Sequence, residues 1–229
     1  MNTINTIHSN IRQKNNQVVT SSTPIPDLMW YKFNGNISNY KVSNSPVGDA
    51  TLGGGPNVFV SSRLAGQMCF GSTGGVTSNF VNFPLVARPQ TITFSCWIFL
   101  TSVAPFARIF DFGENFRLYF PGGGRVVLNN NAASLQYATS NFGVWKHIAF
   151  SISGVNLVFY ESGVFKQNIV LAAPLPSINT ATFVNPSNGY LAKSQSSADP
   201  NPVCKFSDFR LYGRVLTAVE IGILYNTTT

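Results

Sequence analysis

The sequence predicts an all-β fold: a two-sheet antiparallel jelly-roll sandwich with one short C-terminal helix. Three observations predict it. Thr91–Leu100 alternates with period two, Ile92, Phe94, Cys96 and Ile98 on one face and Thr91, Thr93 and Ser95 on the other, as a half-buried strand does. Further short segments of this kind follow at regular spacing, separated by clusters of Gly, Pro, Asn and Ser. The 229 residues also hold 19 Phe, 8 Tyr and 3 Trp, a composition suited to sheets.

Taken in order, residues 1–26 form a polar, basic N-terminal arm. It is rich in Asn, Thr, Ser and Gln, carries Arg12 and Lys14, and has no acid before Asp27. Thr23-Pro24-Ile25-Pro26 closes it as a stiff linker. Residues 27–229 make the sandwich domain. After the strand at 91–100, strands are expected at 107–112, 116–120, 125–129, 145–152, 155–161, 164–170 and 204–212. Their connections include Gly53–Gly55, Pro121–Gly124, Asn129–Asn131, Ser153-Gly154 and Ser162-Gly163, where Gly and Asn tolerate positive φ and Pro fixes it. Trp97 and Phe99 occupy the nominally polar face of the first strand, so that face should be covered by something later in the chain. Thr217-Ala-Val-Glu220 reads as a capping box opening a helix, with Val219, Ile223 and Leu224 as its apolar stripe.

The charge pattern excludes several function classes. Only 10% of residues are charged, against roughly 25% in soluble domains. Eight carboxylates leave little material for acid–base catalysis or an oxygen-ligand metal cage. Fifteen Lys and Arg give a net +7, but they are spread in ones and twos from Arg12 to Arg214. That is a diffusely basic surface, attractive to anionic partners, rather than a specific nucleic-acid stripe. Cys69, Cys96 and Cys204 are odd in number and lack CxxC spacing, so neither a disulfide framework nor a zinc site is indicated. No apolar segment reaches the length of a membrane span, and residues 1–30 hold no apolar signal-peptide core. The chain therefore reads as made in a reducing cytoplasm and not secreted through a signal peptide.

Three segments resemble the laminin-G-like, concanavalin A-like jelly-roll family. Thr93-Phe94-Ser95-Cys96-Trp97-Ile98 is similar to its Phe-Ser-x-Trp strand. Trp145-Lys146-His147-Ile148-Ala149-Phe150, with Leu157-Val158-Phe159-Tyr160-Glu161-Ser162-Gly163, resembles its Trp-x-His hairpin. Phe206–Thr217 resembles its closing strand and the short helix after it. The resemblance runs from about Leu28 to Tyr225 and implies the jelly-roll fold. It implies matrix-binding modules, lectins, glycosidase-associated domains or virion proteins as functions, so fold alone does not choose among them. The acid-rich calcium loops of many relatives are not evident; Asp208 is the one family-like acid in the closing strand and is expected to pair with Arg210 or Arg214.

The sharper chemical readings do not gather support. The carboxylate array of the related glycosidases is missing, and the only close acidic pair is Asp111 and Glu114, in a strand end and turn. His147 lacks a nucleophile motif and reads as a satisfied structural histidine; His8 sits alone in the arm. The glycine runs lack the Gly-Lys-Ser/Thr of a phosphate loop. Cys96 reads as a small buried hydrophobe. No catalytic residue, metal ligand or cofactor is assigned. Binding remains: Tyr137 and Phe142 in Asn-rich loops, and Lys193, Gln195 and Asn201 in the loop 193–203, are residue types that hold sugars, although the two aromatics are expected to pack under their own loop. The first functional expectation is a non-catalytic structural module of a larger assembly, a minor or capsid-associated virion protein, with Arg12 and Lys14 on an arm that lies along neighbouring subunits. The second is a carbohydrate-binding lectin on a particle or cell surface, with glycans as partners. The third is a divergent glycoside hydrolase, which requires two carboxylates converging in a cleft.

Overall fold

A computed structural model describes residues 22–40, 48–55, 59–75, 77–84, 91–112, 117–119, 126–128, 133–135, 142–171, 174 and 188–227. In chain order its elements are β1 (Met29–Tyr31), β2 (Thr51–Gly53), β3 (Phe59–Ser61), β4 (Met68–Gly75), β5 (Phe80–Pro84), β6 (Thr91–Ser102), β7 (Arg108–Asp111), β8 (Arg117–Tyr119), β9 (Val126–Leu128) and β10 (Ala133–Leu135). They continue with β11 (Trp145–Ser153), β12 (Asn156–Glu161), β13 (Val164–Val170), β14 (Asn188–Leu191), β15 (Asn201–Tyr212) and the helix α1 (Ala218–Asn226). The architecture is the predicted all-β antiparallel sandwich. Among the described residues, one sheet has eight strands in the order β13-β12-β11-β6-β15-β4-β3, with β1 also paired to β15; the other has seven in the order β10-β9-β8-β7-β14-β5-β2.

Alternation decides which side chains meet between the sheets. Ile92, Phe94, Cys96, Ile98 and Leu100 of β6 face inward with Ile148, Phe150 and Ile152 of β11 and Leu157 and Phe159 of β12. The facing sheet supplies Val81, Phe83, Phe110, Leu118 and Leu191. Phe209 sits among these aromatics, its ring centre 4.8 Å from Phe83, 5.2 Å from Phe94 and 6.4 Å from Tyr31. Offset and tilted pairs of this kind add to the burial of the rings themselves. The hairpin from β12 to β13 turns at Ser162 and Gly163, both at positive φ (51° and 75°), the type I′ geometry whose twist suits a two-residue loop.

A bulge in β15 sets up the outer face of the eight-stranded sheet. Ser207 pairs with Trp97, but the next paired residue is Arg210, opposite Ser95. The extra residue, with Asp208 at φ 54°, lets Phe209 point into the core beside its β1 partner Tyr31 while Arg210 faces outward beside Trp30. Aspartate tolerates this left-handed conformation better than most side chains.

The helix begins as predicted. The Glu220 N–H donates to Thr217 Oγ1 (3.2 Å) and the Thr217 N–H donates to Glu220 Oε2 (2.8 Å), closing the capping box. Its buried stripe differs from the sequence expectation: Ile221 and Leu224 are buried, Ile223 is half-buried, and Val219 is 69% exposed. The cause lies just before the cap, where Leu216 joins Ile221 in one apolar cluster as a hydrophobic staple and fixes which face looks down. With Ala149, Tyr160 and Tyr212, this second cluster seats α1 on the outer face of the eight-stranded sheet. Gly163 makes the close approach possible, since a Cβ there would lie 3.0 Å from Tyr225 Cβ. Residues 22–26 lie on the domain, where the Tyr212 hydroxyl donates to the Pro24 carbonyl (3.0 Å). Arg12, Lys14 and His8 lie outside the described residues.

Candidate functional site

The outer face of the eight-stranded sheet gathers all three tryptophans of the chain. Trp97 and Trp145 alternate with the inward residues of β6 and β11, and Trp30 does so on β1. Successive rows run across the strands: His147, Trp97 and Ser207, then Trp145, Phe99, Lys205 and Gly71. The helix covers the first row. Tyr225 stacks on Trp97 (5.4 Å, 24° between planes), and the Arg63 guanidinium lies 4.0 Å from the Trp97 ring centre while its Nη2 donates to the Thr227 carbonyl (3.1 Å). This is the cover that the apolar Trp97 required. The second row is left open.

Beside that open row lies a groove of about 300 Å³, lined by Val60, Gly71, Thr73, Thr101, Val203 and Lys205. Thr73 and Thr101 are exposed, while Val60, Val203 and Lys205 are half-buried. Lys205 stands with its Nζ 5.3 Å from the Phe99 ring centre, and Phe99 meets Trp145 at 5.7 Å. A shallow trough with hydroxyls along it, a lysine at its wall and two half-buried rings next to it offers stacking and hydrogen bonding together. The sequence hid this arrangement because its residues come from five separate strands, and Gly71, Thr73 and Thr101 carry no motif.

Other residues singled out from the sequence are structural. His147 is buried; its Nε2 lies 2.8 Å from Ser95 Oγ, and its ring packs against Trp97 and Tyr225. Burial pushes its pKa down to about 3, so it is neutral and out of reach of a substrate. It is only partly satisfied, since Nδ1 has no hydrogen-bond partner among the described residues. Asp208 accepts from Trp30 Nε1 and Arg210 Nε, each at 2.8 Å, and Arg210 is fully buried with its guanidinium 4.5 Å from the Trp30 ring centre. The carboxylate thus pairs with Arg210, as one of the two expected partners, and is turned toward a fixed cation. Cys69, Cys96 and Cys204 are free and buried, and burial raises the pKa of each thiol.

The loop 193–203 is spent largely on holding itself. Gln195 donates from its backbone N to Asp111 Oδ2 and from Nε2 to the Asp111 carbonyl, both at 3.1 Å. Asn201 is buried and donates to the Ser78 carbonyl at 3.1 Å. Lys193 and Gln195 are both half-buried, Lys193 lying over Phe80 (5.1 Å) and Tyr190 (5.7 Å) of the opposite sheet. Phe142 packs against the core, as its loop position implied, and Tyr137 lies outside the described residues. Two carboxylates do converge, Asp111 and Asp199, but on Arg108 between them (3.6 and 3.1 Å), with Asp111 buried. Glu114 lies outside the described residues. Among the described residues, no three of His, Cys, Asp and Glu come together as a metal site would need, and no helix is long and apolar enough to cross a membrane.

Comparison with known proteins adds the following. The family model described as the concanavalin A-like lectin/glucanases superfamily matches residues 70–222. No curated protein matches the chain in sequence. Among solved structures, domain 4 of AbnA, a GH43 extracellular arabinanase from Geobacillus stearothermophilus solved in complex with arabinotriose, superposes with a TM-score of 0.65 at 16% identity, over 86% of this chain and 97% of that one. The binding domain of botulinum neurotoxin DC, in complex with rat synaptotagmin II, superposes at 0.63, with 16% identity over 86% of this chain. A structure of botulinum neurotoxin type C, whose cell entry is dependent upon interaction with two ganglioside molecules, gives 0.61 and 16% over 86%. The chain spans 51% and 50% of those two toxin chains. At these identities the likeness shows the fold.

Proposed function

The chain belongs to the concanavalin A-like lectin/glucanases superfamily, and from that premise we propose that it is a non-catalytic carbohydrate-binding module whose site is the groove beside Phe99 and Trp145. The observation that carries the reading is the open row itself: Trp145 against Phe99, Phe99 under Lys205, and Lys205 in the wall of a trough with Thr73 and Thr101. Sugar rings present C–H faces to aromatic rings and hydroxyls to polar side chains, and this row supplies both counterparts. The arabinotriose held by the arabinanase domain and the gangliosides named for the type C toxin support a saccharide ligand for a sandwich of this shape. The only convergent carboxylates among the described residues are held by Arg108, which favours binding over hydrolysis.

The test is a glycan panel probed with the full chain and with Trp145→Ala. The reading expects a saturable saccharide ligand whose affinity falls at least tenfold in the variant, which should still unfold cooperatively because Trp145 lies on the outer face and is only half-buried. A panel without a ligand, or a ligand bound equally by the variant, overturns it. Incorporation into a virion or other particle, the first expectation from the sequence, draws no specific support from the described residues; light scattering of the full chain against one lacking residues 1–21 tests it.

A further inference from the structure

We infer that the saccharide taken by the groove is acidic, carrying carboxylate or sulfate groups, and that Lys205 and Lys32 read its charge within the field of Arg63. This rests on the carbohydrate-binding reading and adds the ligand class. Every described carboxylate is already engaged. Asp111 and Asp199 hold Arg108, Glu161 holds Lys146 and Lys166, Asp208 holds Arg210, and Glu220 holds Arg214. Asp27 and Asp49 accept from the backbone N–H groups of Gly213 and Asn39.

Lys32, Arg63, Lys193 and Lys205 have no carboxylate partner among the described residues, and each is seated over aromatic rings instead. Lys32 lies 4.8 Å from the Trp30 ring centre and 5.0 Å from that of Tyr40, Arg63 lies over Trp97, Lys193 over Phe80 and Tyr190, and Lys205 over Phe99. A ring face steadies a cation without neutralising it, so the charge stays available to a ligand. Three of the four belong to the tryptophan-bearing face, where the Asp208 carboxylate is taken by Arg210. With Asp208 paired to Arg210, the cations Lys32, Arg63 and Lys205 leave a net positive charge on that face; burial lowers the Arg63 pKa, against the opposing pull of Asp208. Lys205 meets the ligand inside the groove, opposite Gly71, where no side chain stands in its way. Lys32 carries a further positive charge on this face, its Nζ over Trp30 and Tyr40 and its backbone carbonyl accepting from the Asp208 N–H of β15.

The experiment is titration calorimetry of the full chain with a sulfated tetrasaccharide, a uronic-acid tetrasaccharide, a neutral tetrasaccharide and a single-stranded oligonucleotide of similar charge, at 50 and 300 mM NaCl. The expected result is at least a tenfold preference for one acidic saccharide over the neutral one, shrinking at the higher salt. Lys205→Gln should cut that preference at least fivefold and Lys32→Gln with Lys205→Gln should abolish it. Lys193→Gln, on the opposite sheet, should leave it intact. Equal affinity for acidic and neutral saccharides overturns the inference, as does an equal loss in Lys193→Gln or an oligonucleotide bound as tightly as the acidic saccharide. If the neutral saccharide binds and Trp145→Ala removes it while charge adds nothing, the acidic ligand fails and the carbohydrate reading stands. If no saccharide binds, both fail.

Discussion

Lys205 stands 5.3 Å from the centre of the Phe99 ring, and across the next strand its paired residue is Gly71. The pairing leaves an open floor on one side of the lysine and an aromatic wall on the other. A bulky side chain in that trough should therefore exclude a ligand without disturbing the core.

Thr101→Trp makes that change. Thr101 is exposed and lines the groove, so the substitution should hold stability within about 0.5 kcal/mol, as surface changes usually do. Saccharide binding should fall at least tenfold. Urea melts and a binding titration on the same sample check both halves.

The helix offers a sharp contrast between two neighbours. Ile221→Ala removes a side chain buried with Leu216 and Leu224 and should cost about 2–4 kcal/mol. Val219→Ser, on the exposed side, should stay within about 0.5 kcal/mol. If the two losses are equal, the staple with Leu216 does not set the helix face.

Asp208→Ala should be among the most damaging single changes. It leaves the fully buried Arg210 guanidinium without its carboxylate and Trp30 Nε1 without its acceptor. Breaking one side of a buried pair costs about 3–5 kcal/mol. Denaturant unfolding measures this, and Arg210→Lys, which keeps the charge but loses the fixed planar fork, should also destabilise.

Acid should weaken the fold through His147. Its pKa is about 3 in the folded chain, against roughly 6.5 when unfolded. Above pH 6.5 neither state binds the proton, and the full stability is present. As pH falls from 6.5 towards 3, the unfolded state takes up a proton that the folded state refuses, so stability drops with a slope that approaches about 1.4 kcal/mol per pH unit about one unit below 6.5. Unfolding at pH 6.5, 5.5 and 5.0 should show this slope, and His147→Gln should flatten it.

Much of this fold is legible in the sequence, and the reasons are local. The alternation of Thr91–Leu100, the Ser162-Gly163 turn and the Thr217–Glu220 capping box each declare their structure within a few residues. Trp97 on the wrong face announced a cover, which Tyr225 and Arg63 provide. Strands such as Met68–Gly75 and Asn188–Leu191 are less legible because Gly-Ser-Thr-Gly-Gly and Asn-Gly carry the composition of turns. The helix face is legible only in part: Leu224 is buried as expected, but Leu216, outside the helix, turns Ile221 rather than Val219 inward. The groove was illegible for a different reason: Val60, Gly71, Thr101 and Lys205 become neighbours only through the order β6-β15-β4-β3. Gln195 and Asn201 looked available to a sugar, yet the Asp111 and Ser78 groups that engage them lie 84 and 123 residues away in sequence.

The most direct test of the central claim is a crystal structure with the tightest saccharide from the glycan panel. The account predicts a sugar ring against Phe99 and Trp145, with hydroxyl contacts to Thr73 or Thr101 and an acidic group within reach of Lys205. A saccharide held instead by the loop ends or by the opposite sheet at Phe80 and Tyr190 would contradict it.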